Sequence, residues 1–207
     1  MKKQRKAPKR DKILKVGFDL DGVLLYNPLK VARPAVAAAK ALFFKARRGI
    51  FYIPRSSLQR LMWLVLHKSS LFIEPGYKDI KKLIARGRIR AYVVSGRYSF
   101  VQGDLEDWLK RLEAGKYFAG IYVNSRDEQP TVFKERIIKK LDLDVFIEDN
   151  WDVVAYLNKS KVKSQKSKVK IFWIYNIVDR WLIKYNYKFA DLRAASSGRI
   201  FRFLTSS

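Results

Sequence analysis

The sequence contains no cysteine, and His67 is its only histidine. The lack of cysteine excludes a disulfide framework and any thiolate zinc site, and a single histidine excludes a metal cluster built from several histidines. Any metal site formed by this chain must therefore rest on the oxygen atoms of carboxylates.

Long uncharged apolar stretches are also missing. The stretch LMWLVLHKSSLFI at residues 61–73 is interrupted by a histidine, a lysine and two serines, and it falls short of the roughly 20 apolar residues that a membrane helix needs. The basic N-terminus MKKQRKAPKRDK precedes a short apolar run that ends in DLDG, and no small-residue cleavage site of a secretory signal follows. We therefore expect a cytoplasmic protein without a membrane-spanning segment.

Acidic residues are scarce: 19 Asp and Glu face 44 Lys and Arg, which gives a formal net charge of +25. Many basic residues lie in an N-terminal arm at 1–12 and in the lysine-rich segment KSKVKSQKSKVK at 159–170, which we expect to be solvated. Such segments can neutralise the phosphates of nucleic acid. Basicity shared by the proteins of the source organism is the other explanation. We favour the second, because neither segment interleaves the aromatic residues that single-strand binding uses.

The apolar residues indicate an α/β fold. A chain of 207 residues with 48% hydrophobic residues is long enough for one domain and a small insertion. Stretches with helical period separate the later members of a series of short apolar runs. This alternation predicts a Rossmann-like parallel sheet with helices on both faces. The expected strands are 13–18, 91–95, 118–123, 144–148 and 170–175, and the expected helices between them are 101–112, 132–141 and 153–157.

An insertion separates the first two strands, because about seventy residues stand where a crossover needs only a dozen or more. Within it we predict one helix after Pro34 that ends before Gly49, and a second helix after Ser56 and Ser57. A further helix is expected to lead into the strand near residue 91. The predicted division is a core of 13–24 and 73–207 with a helical insertion at 25–72, and we expect the tail to form a packed terminal helix and an extension.

Polar residues follow three of the predicted strands. They are Asp19 and Asp21 after the first strand, Ser95 to Arg97 after the second, and the acidic pair Glu148 and Asp149 at the end of the fourth. In an open parallel sheet, ligands bind outside the carboxyl ends of the strands. The three groups are therefore expected to meet at one edge of the sheet.

The motifs VGFDLDGVL, YVVS and FIEDN, with a lysine before the fourth strand, resemble the four ordered motifs of the haloacid dehalogenase superfamily of phosphatases. The resemblance spans residues 13 to about 175, and the helices inserted between the first two motifs resemble the C1-capped members, such as the 5′-nucleotidases. It implies a haloacid dehalogenase-like fold and a Mg²⁺-dependent phosphomonoester hydrolase that acts through an aspartyl-phosphate.

The resemblance also implies roles for individual residues. Asp19 would be the nucleophile and Asp21 the general acid and base. A Mg²⁺ ion would be held by Asp19, the carbonyl of Asp21, and Asp149. Gly22 would let the chain turn beneath the phosphate. The expected contacts to the substrate phosphate come from Ser95, Gly96, Arg97 and Lys134.

The choice of lysine follows from helix geometry. At 1.5 Å per residue, Lys139 and Lys140 would lie roughly 8 Å further from the active edge than Lys134. Ordinary structural roles stay open at this point: turn residues for the aspartates and for Ser95 with Gly96, a helix cap for Asp149, a solvated lysine and a surface arginine. The roles of Glu148 and Asp152 are also open.

The expected substrate is a small organic phosphate monoester, and a nucleoside monophosphate is favoured because the layout resembles the 5′-nucleotidases. The alternative is a nucleic-acid-associated protein, either a polynucleotide end phosphatase or a basic binding module on the same fold. Acidic side chains at the active edge argue against a pure nucleic-acid binder. The sequence does not predict an oligomeric state.

Overall fold

The computed structural model describes residues 12–28, 51, 53, 56–67, 70–160, 169–176, 181 and 183–197. The N-terminal arm up to residue 11 and the lysine-rich residues 161–168 lie outside this part. The strands are β1 Leu14–Phe18, β2 Leu25–Tyr26, β3 Phe72–Ile73, β4 Ile89–Ser95, β5 Gly120–Val123, β6 Val145–Glu148, β7 Lys170–Ile174 and β8 Lys188–Phe189. The α-helices are α1 Ser57–His67, α2 Tyr77–Ala85, α3 Leu105–Arg111, α4 Ala114–Tyr117, α5 Pro130–Leu141, α6 Trp151–Lys159 and α7 Leu192–Ser196.

Six strands form one sheet in the order β5-β4-β1-β6-β7-β8, and every neighbouring pair is parallel. The α/β fold class predicted from the sequence is confirmed. Strand β1 lies between β4 and β6, so the residues that follow these three strands share the carboxyl edge of the sheet. Leu14, Val16 and Phe18 share one face of β1 and are all buried, whereas Lys15 and Gly17 lie on the other face.

Side chains that alternate along the strands divide the core into two apolar layers. In β6, Val145 and Ile147 pack in one layer and Phe146 packs in the other. The first layer includes residues of α2, α3 and α7, and the second includes residues of α5 and α6. Helices therefore cover both faces of the sheet, and α5 starts beside its carboxyl edge.

Residues 101–112 do not form one continuous helix, so the sequence prediction of a single helix here is wrong. A 3₁₀ helix spans Ser99–Val101, and α3 starts only at Leu105. Gly103 lies in the turn between them, and a glycine weakens a helix at this point. The buried face is correct, because Leu105, Trp108 and Leu112 are all buried with Val101.

A two-stranded antiparallel ribbon forms both ends of the inserted segment. Leu25 of β2 pairs with Ile73 of β3, and the stacked rings of Tyr26 and Phe72 have centroids 4.7 Å apart. Helix α1 is the predicted second helix of the insertion, whereas the predicted helix after Pro34 lies outside the described residues. The assignment of 25–72 to a separate unit stays a prediction.

Two short elements of the tail complete the described chain. Strand β8 adds a sixth strand that the sequence did not predict, because two residues are too few to show a period. Helix α7 is the expected packed terminal helix, with Leu192 and Ala195 fully buried. Among the described helices none has the length and apolarity required to cross a membrane.

Candidate active site

Asp19 lies at the centre of the carboxyl edge of the sheet, directly after β1. Its backbone N–H donates a hydrogen bond of 2.9 Å to the carbonyl of Ile147 in the neighbouring strand β6. The residue is buried, with 7% of its surface exposed. Strand β4 ends at Ser95 on one side of β1, and β6 ends at Glu148 on the other side. The structure thus brings the three predicted groups together.

Lys134 reaches Asp19 from α5. Its Nζ lies 3.0 Å from Oδ1 of Asp19 and 2.7 Å from Oε2 of Glu148. The lysine is buried, so the alternative of a solvated helix lysine is wrong. Lys139, one turn further along the helix, instead pairs with Glu135 at 2.6 Å.

Gly96 makes room for this lysine. A Cβ atom at position 96 would lie 3.3 Å from Cε of Lys134 and 3.1 Å from Cβ of Pro130. These distances are shorter than ordinary van der Waals contact. The absence of a side chain therefore lets the start of α5 pass close to the loop after β4.

Three buried carboxylates form a group that could hold a metal ion. Each of Asp19, Glu148 and Asp149 offers an oxygen atom, and these atoms all lie within 4.8 Å of one another. The second oxygen of Glu148, Oε1, accepts a hydrogen bond of 3.0 Å from the backbone N–H of Asn150. The sequence alone leaves the role of Glu148 open. The sequence signal for its position is an acidic residue at the end of the apolar run VFIE, and the structure shows that this residue is fully buried.

The DLDG turn passes directly below Asp149. Gly22 has a φ of +80°, which is the left-handed region that favours glycine. A Cβ atom at position 22 would overlap with Oδ2 of Asp149. Any side chain there would displace the Asp149 carboxylate from its place in the acidic group.

Negative charge exceeds positive charge around Asp19. The carboxylates of Asp21, Glu148 and Asp149 lie near it, together with the basic side chains of Lys134 and Arg97. Burial raises the pKa of Asp19 well above its ordinary value, Glu148 raises it further, and Lys134 offsets part of the rise. For Lys134, burial alone would lower the pKa, but Asp19 and Glu148 outweigh burial and raise it. A carboxylate-rich donor set of this kind suits a hard divalent cation such as Mg²⁺, which would also relieve the repulsion.

Asp21 is held by Arg97 in a two-pronged ion pair. Nε of Arg97 donates to Oδ2 of Asp21 at 2.7 Å, and Nη2 donates to Oδ1 at 2.7 Å. Nη1 of the same guanidinium donates to Oδ1 of Asp104 at 2.8 Å, and the Ser70 hydroxyl donates to Oδ1 of Asp21 at 2.9 Å. Arg97 is buried, so the surface alternative is wrong. Its predicted contact with a phosphate stays a prediction.

Solved structures share this architecture. CbbY from Rhodobacter sphaeroides, determined in complex with phosphate, aligns with a TM-score of 0.52 at 14% identity over 88% of this chain and 96% of its own. A proposed β-phosphoglucomutase from Thermotoga maritima aligns with a TM-score of 0.52 at 14% identity over 94% and 99% of the two chains. The chain has the haloacid dehalogenase fold. No protein-family model and no curated protein sequence matches it.

Ser95 and Asp152, two residues considered in the sequence analysis, occupy different positions relative to the active edge of this haloacid dehalogenase fold. Ser95 is buried at the end of β4, and its hydroxyl accepts a hydrogen bond of 3.4 Å from the backbone N–H of Arg97. Asp152 lies in the first turn of α6, where its backbone N–H donates to Oδ1 of Asn150 at 2.9 Å. Ser95 therefore lies at the active edge, whereas Asp152 is a helix-start acid outside the three-carboxylate group.

The inserted segment contacts the core of the haloacid dehalogenase fold beside the site. The backbone of Phe51 exchanges two hydrogen bonds with the side-chain amide of Gln129, at 2.8 and 3.1 Å. Arg60 of α1 lies over the ring of Phe100, 5.7 Å from its centroid. Neither these contacts nor Ser70 and Asp104 could be predicted, because nothing in the local sequence indicates which distant residue each would meet.

Proposed function

We propose that the chain is a Mg²⁺-dependent phosphomonoester hydrolase that acts through an aspartyl-phosphate on Asp19. The observation that carries the proposal is the buried group of Asp19, Glu148 and Asp149 with Lys134 hydrogen-bonded within it. A carboxylate in contact with a buried ammonium and with further cation ligands is equipped to attack an anionic ester.

The reaction proceeds in two displacements. In the first, a carboxylate oxygen of Asp19 forms a bond to phosphorus while the bond from phosphorus to the ester oxygen breaks, and Asp21, which holds a proton at the start of the cycle, gives it to the leaving ester oxygen. In the second, water attacks the phosphorus of the aspartyl-phosphate, and Asp21 accepts a proton from that water. Phosphate and the free carboxylate of Asp19 are the products, so the protein ends unchanged.

In this proposal Lys134 and Ser95 bind the substrate phosphate, and Gly96 leaves room for Lys134 to do so. The raised pKa of Lys134 keeps its ammonium charged, and a fixed positive charge stabilises the negative charge that develops on the phosphoryl oxygens. The Ser95 hydroxyl would donate a hydrogen bond to one of these oxygens. Gly96 lets Lys134 approach closely, because a Cβ atom at position 96 would press against Cε of the lysine.

Asp19, Asp149 and Glu148 would hold the Mg²⁺ ion, together with the backbone carbonyl of Asp21. When bound, the ion would supply Lewis-acid polarisation of a phosphoryl oxygen and would neutralise charge between the carboxylates and the substrate. The chemistry of this donor set fits such an ion, because all the ligands are hard oxygen atoms.

The proposed substrate is a small organic phosphate, with a nucleoside monophosphate tested first. The names of the similar solved proteins point to phosphorylated sugars as the group to compare, since one is called a β-phosphoglucomutase. The inserted segment 25–72 lies beside the site through Ser70 and Phe51, which supports a role in selecting the substrate. A cytoplasmic location and the possible nucleic-acid partner stay predictions.

The experiment is phosphate release from p-nitrophenyl phosphate, nucleoside monophosphates and sugar phosphates, with Mg²⁺ and with EDTA. We expect turnover that needs Mg²⁺ and that Asp19→Asn abolishes while the circular dichroism spectrum is kept. A folded Asp19→Asn protein with unchanged turnover would contradict the nucleophile. Asp21→Asn should slow alkyl phosphates more than nitrophenyl phosphate, because an activated phenolate needs less protonation.

A further inference from the structure

Arg97 donates three hydrogen bonds to carboxylates beside the site, and the proposed reaction gives it no step. We propose that Arg97 is a positioning residue that fixes the carboxylate of Asp21 for proton transfer and does not bind the substrate phosphate. The inference rests on the proposed function, because it concerns the residue proposed there as the acid.

The contact between Arg97 and Asp21 fixes both position and rotation of the carboxylate. Each oxygen of Asp21 accepts a hydrogen bond from a different nitrogen of the guanidinium, both at 2.7 Å. A planar fork that engages both oxygens holds the carboxylate in one plane, whereas a single hydrogen bond would let it rotate. Replacing the fork with a point charge should therefore keep the attraction but lose the orientation.

Arg97 is itself fixed from behind by a second acid. Its third nitrogen, Nη1, donates to Oδ1 of Asp104 at 2.8 Å, and the arginine side chain is 1% exposed. Burial alone would lower the pKa of Arg97, but the hydrogen bond and charge of Asp21, with the charge of Asp104, outweigh it and raise the pKa. The guanidinium therefore stays charged and cannot leave its place without exposing two carboxylates to each other.

The same arrangement argues against a phosphate contact. A guanidinium between Asp21 and Asp104 has its single positive charge shared by two negative charges, so little attraction is left for a phosphate dianion. Nε, Nη1 and Nη2 of Arg97 each already donate to a carboxylate, so a phosphate would have to compete with two charged acceptors for the same guanidinium. Lys134 already offers a buried ammonium beside Asp19.

Ser70 gives the inserted segment a part in the same arrangement. It is buried, with 5% of its surface exposed, and its hydroxyl donates to Oδ1 of Asp21 at 2.9 Å. Ser70 comes just before β3, where the chain returns from the insertion to the core. The orientation of Asp21 thus depends on two donors of Arg97 from the core and on the Ser70 hydroxyl from the insertion.

Leaving-group dependence tests the inference. In Arg97→Lys, the charge stays but the fork is lost. We expect kcat for alkyl phosphates to fall by about 10²-fold or more, in line with the 10²–10⁴-fold contribution of general acids, and kcat for nitrophenyl phosphate to fall by less than about tenfold. The inhibition constant of inorganic phosphate should stay within about twofold, because the substitution removes no contact to the bound phosphate.

A phosphate-binding role would give the opposite result. In that case KM and the inhibition constant of phosphate would rise, and all leaving groups would suffer equally. Either of those results in a folded Arg97→Lys protein overturns the inference while leaving the proposed function intact. A wild-type protein that releases no phosphate from any ester overturns both.

Matched variants separate an effect on the orientation of Asp21 from a general loss of protein stability. Arg136 makes a similar two-nitrogen pair with Glu128, at 3.3 and 2.5 Å, and its side chain is 49% exposed. Arg136→Lys should leave every kinetic constant within about twofold, as expected for an exposed ion pair. Asp104→Asn and Ser70→Ala, which leave Arg97 in place, should shift the leaving-group dependence in the same direction by smaller factors. If Arg97→Lys does not fold, an unchanged dependence in both of these variants overturns the inference.

Discussion

Lys134 donates a hydrogen bond of 2.7 Å to Glu148, and the two side chains are 5% and 0% exposed. The same ammonium lies 3.0 Å from Asp19. A buried charge without its partner is costly, because neither water nor a counter-ion replaces the lost interaction. Lys134 therefore has a structural role that can be measured apart from any activity.

Lys134→Met should destabilise the protein strongly in EDTA. It leaves Asp19 and Glu148 buried without their ammonium, and breaking a buried pair typically costs about 3–5 kcal/mol. The free energy of unfolding, measured by urea denaturation, should fall by that amount. Lys139→Met is the matched control, because Lys139 pairs with Glu135 on the same helix and should cost only about 0.5 kcal/mol. Equal losses in the two variants would contradict the buried network.

Asp19→Asn should stabilise the metal-free protein although it removes activity. Because burial and Glu148 raise the pKa of Asp19, ionising this carboxyl in the folded state costs free energy at neutral pH. Removing the charge should raise stability by about 1 kcal/mol, which corresponds to about 2–4 °C in Tm.

The pH dependence of this gain has a definite sign. The folded protein holds the Asp19 proton more tightly than the unfolded chain does, so wild-type stability from this group falls as pH rises through the raised pKa. The difference in Tm between Asp19→Asn and wild type should therefore be largest near pH 8 and shrink toward acid pH. Thermal unfolding in EDTA measures it, and a gain that is constant with pH would contradict the cause.

Gly22→Ala should remove the metal response. It places a Cβ atom on top of Oδ2 of Asp149, so the carboxylate must move out of the acidic group. Gly87 is the matched control, because its φ is also positive, at +64°, and a Cβ atom added there would have no neighbour within 4 Å. Gly87→Ala should cost only the backbone strain of about 1 kcal/mol. A Tm increase with Mg²⁺ should be lost in Gly22→Ala and kept in Gly87→Ala.

The sequence predicted the parts of the fold that have a clear period and the parts of the site that follow a strand. Asp19, Ser95 and Glu148 come after or at the end of apolar runs, and the parallel order of the strands brings them to one edge. The family resemblance implies a lysine before β6, helix rise selects Lys134 over Lys139 and Lys140, and the structure places Lys134 against Asp19. Motif resemblance together with strand and helix geometry was sufficient for these features.

Contacts between residues that are far apart in sequence could not be predicted. Ser70 and Asp21 are separated by 49 residues, and Arg97 and Asp21 by 76. Nothing in the sequence near Arg97 distinguishes a guanidinium that binds substrate from one that binds a neighbouring acid. The ribbon of β2 and β3 and the strand β8 were missed for a different reason, because strands of two residues carry no alternation.

The high positive charge leads to a last prediction, on nucleic acid. A protein that neutralises phosphates releases counterions, so the logarithm of its affinity for duplex DNA falls with the logarithm of salt concentration, by about 0.9 per phosphate. The N-terminal arm and the lysine-rich segment could reflect only a basicity shared by the proteins of the source organism. In that case the intact protein should bind oligonucleotides only at low salt and not at about 0.15 M, where screening is strong. Deleting residues 1–11 and replacing the lysines of 161–168 with glutamine should then leave nucleotide hydrolysis unchanged. Tight binding at physiological salt that the altered protein loses, with a smaller salt slope, would instead favour a polynucleotide substrate.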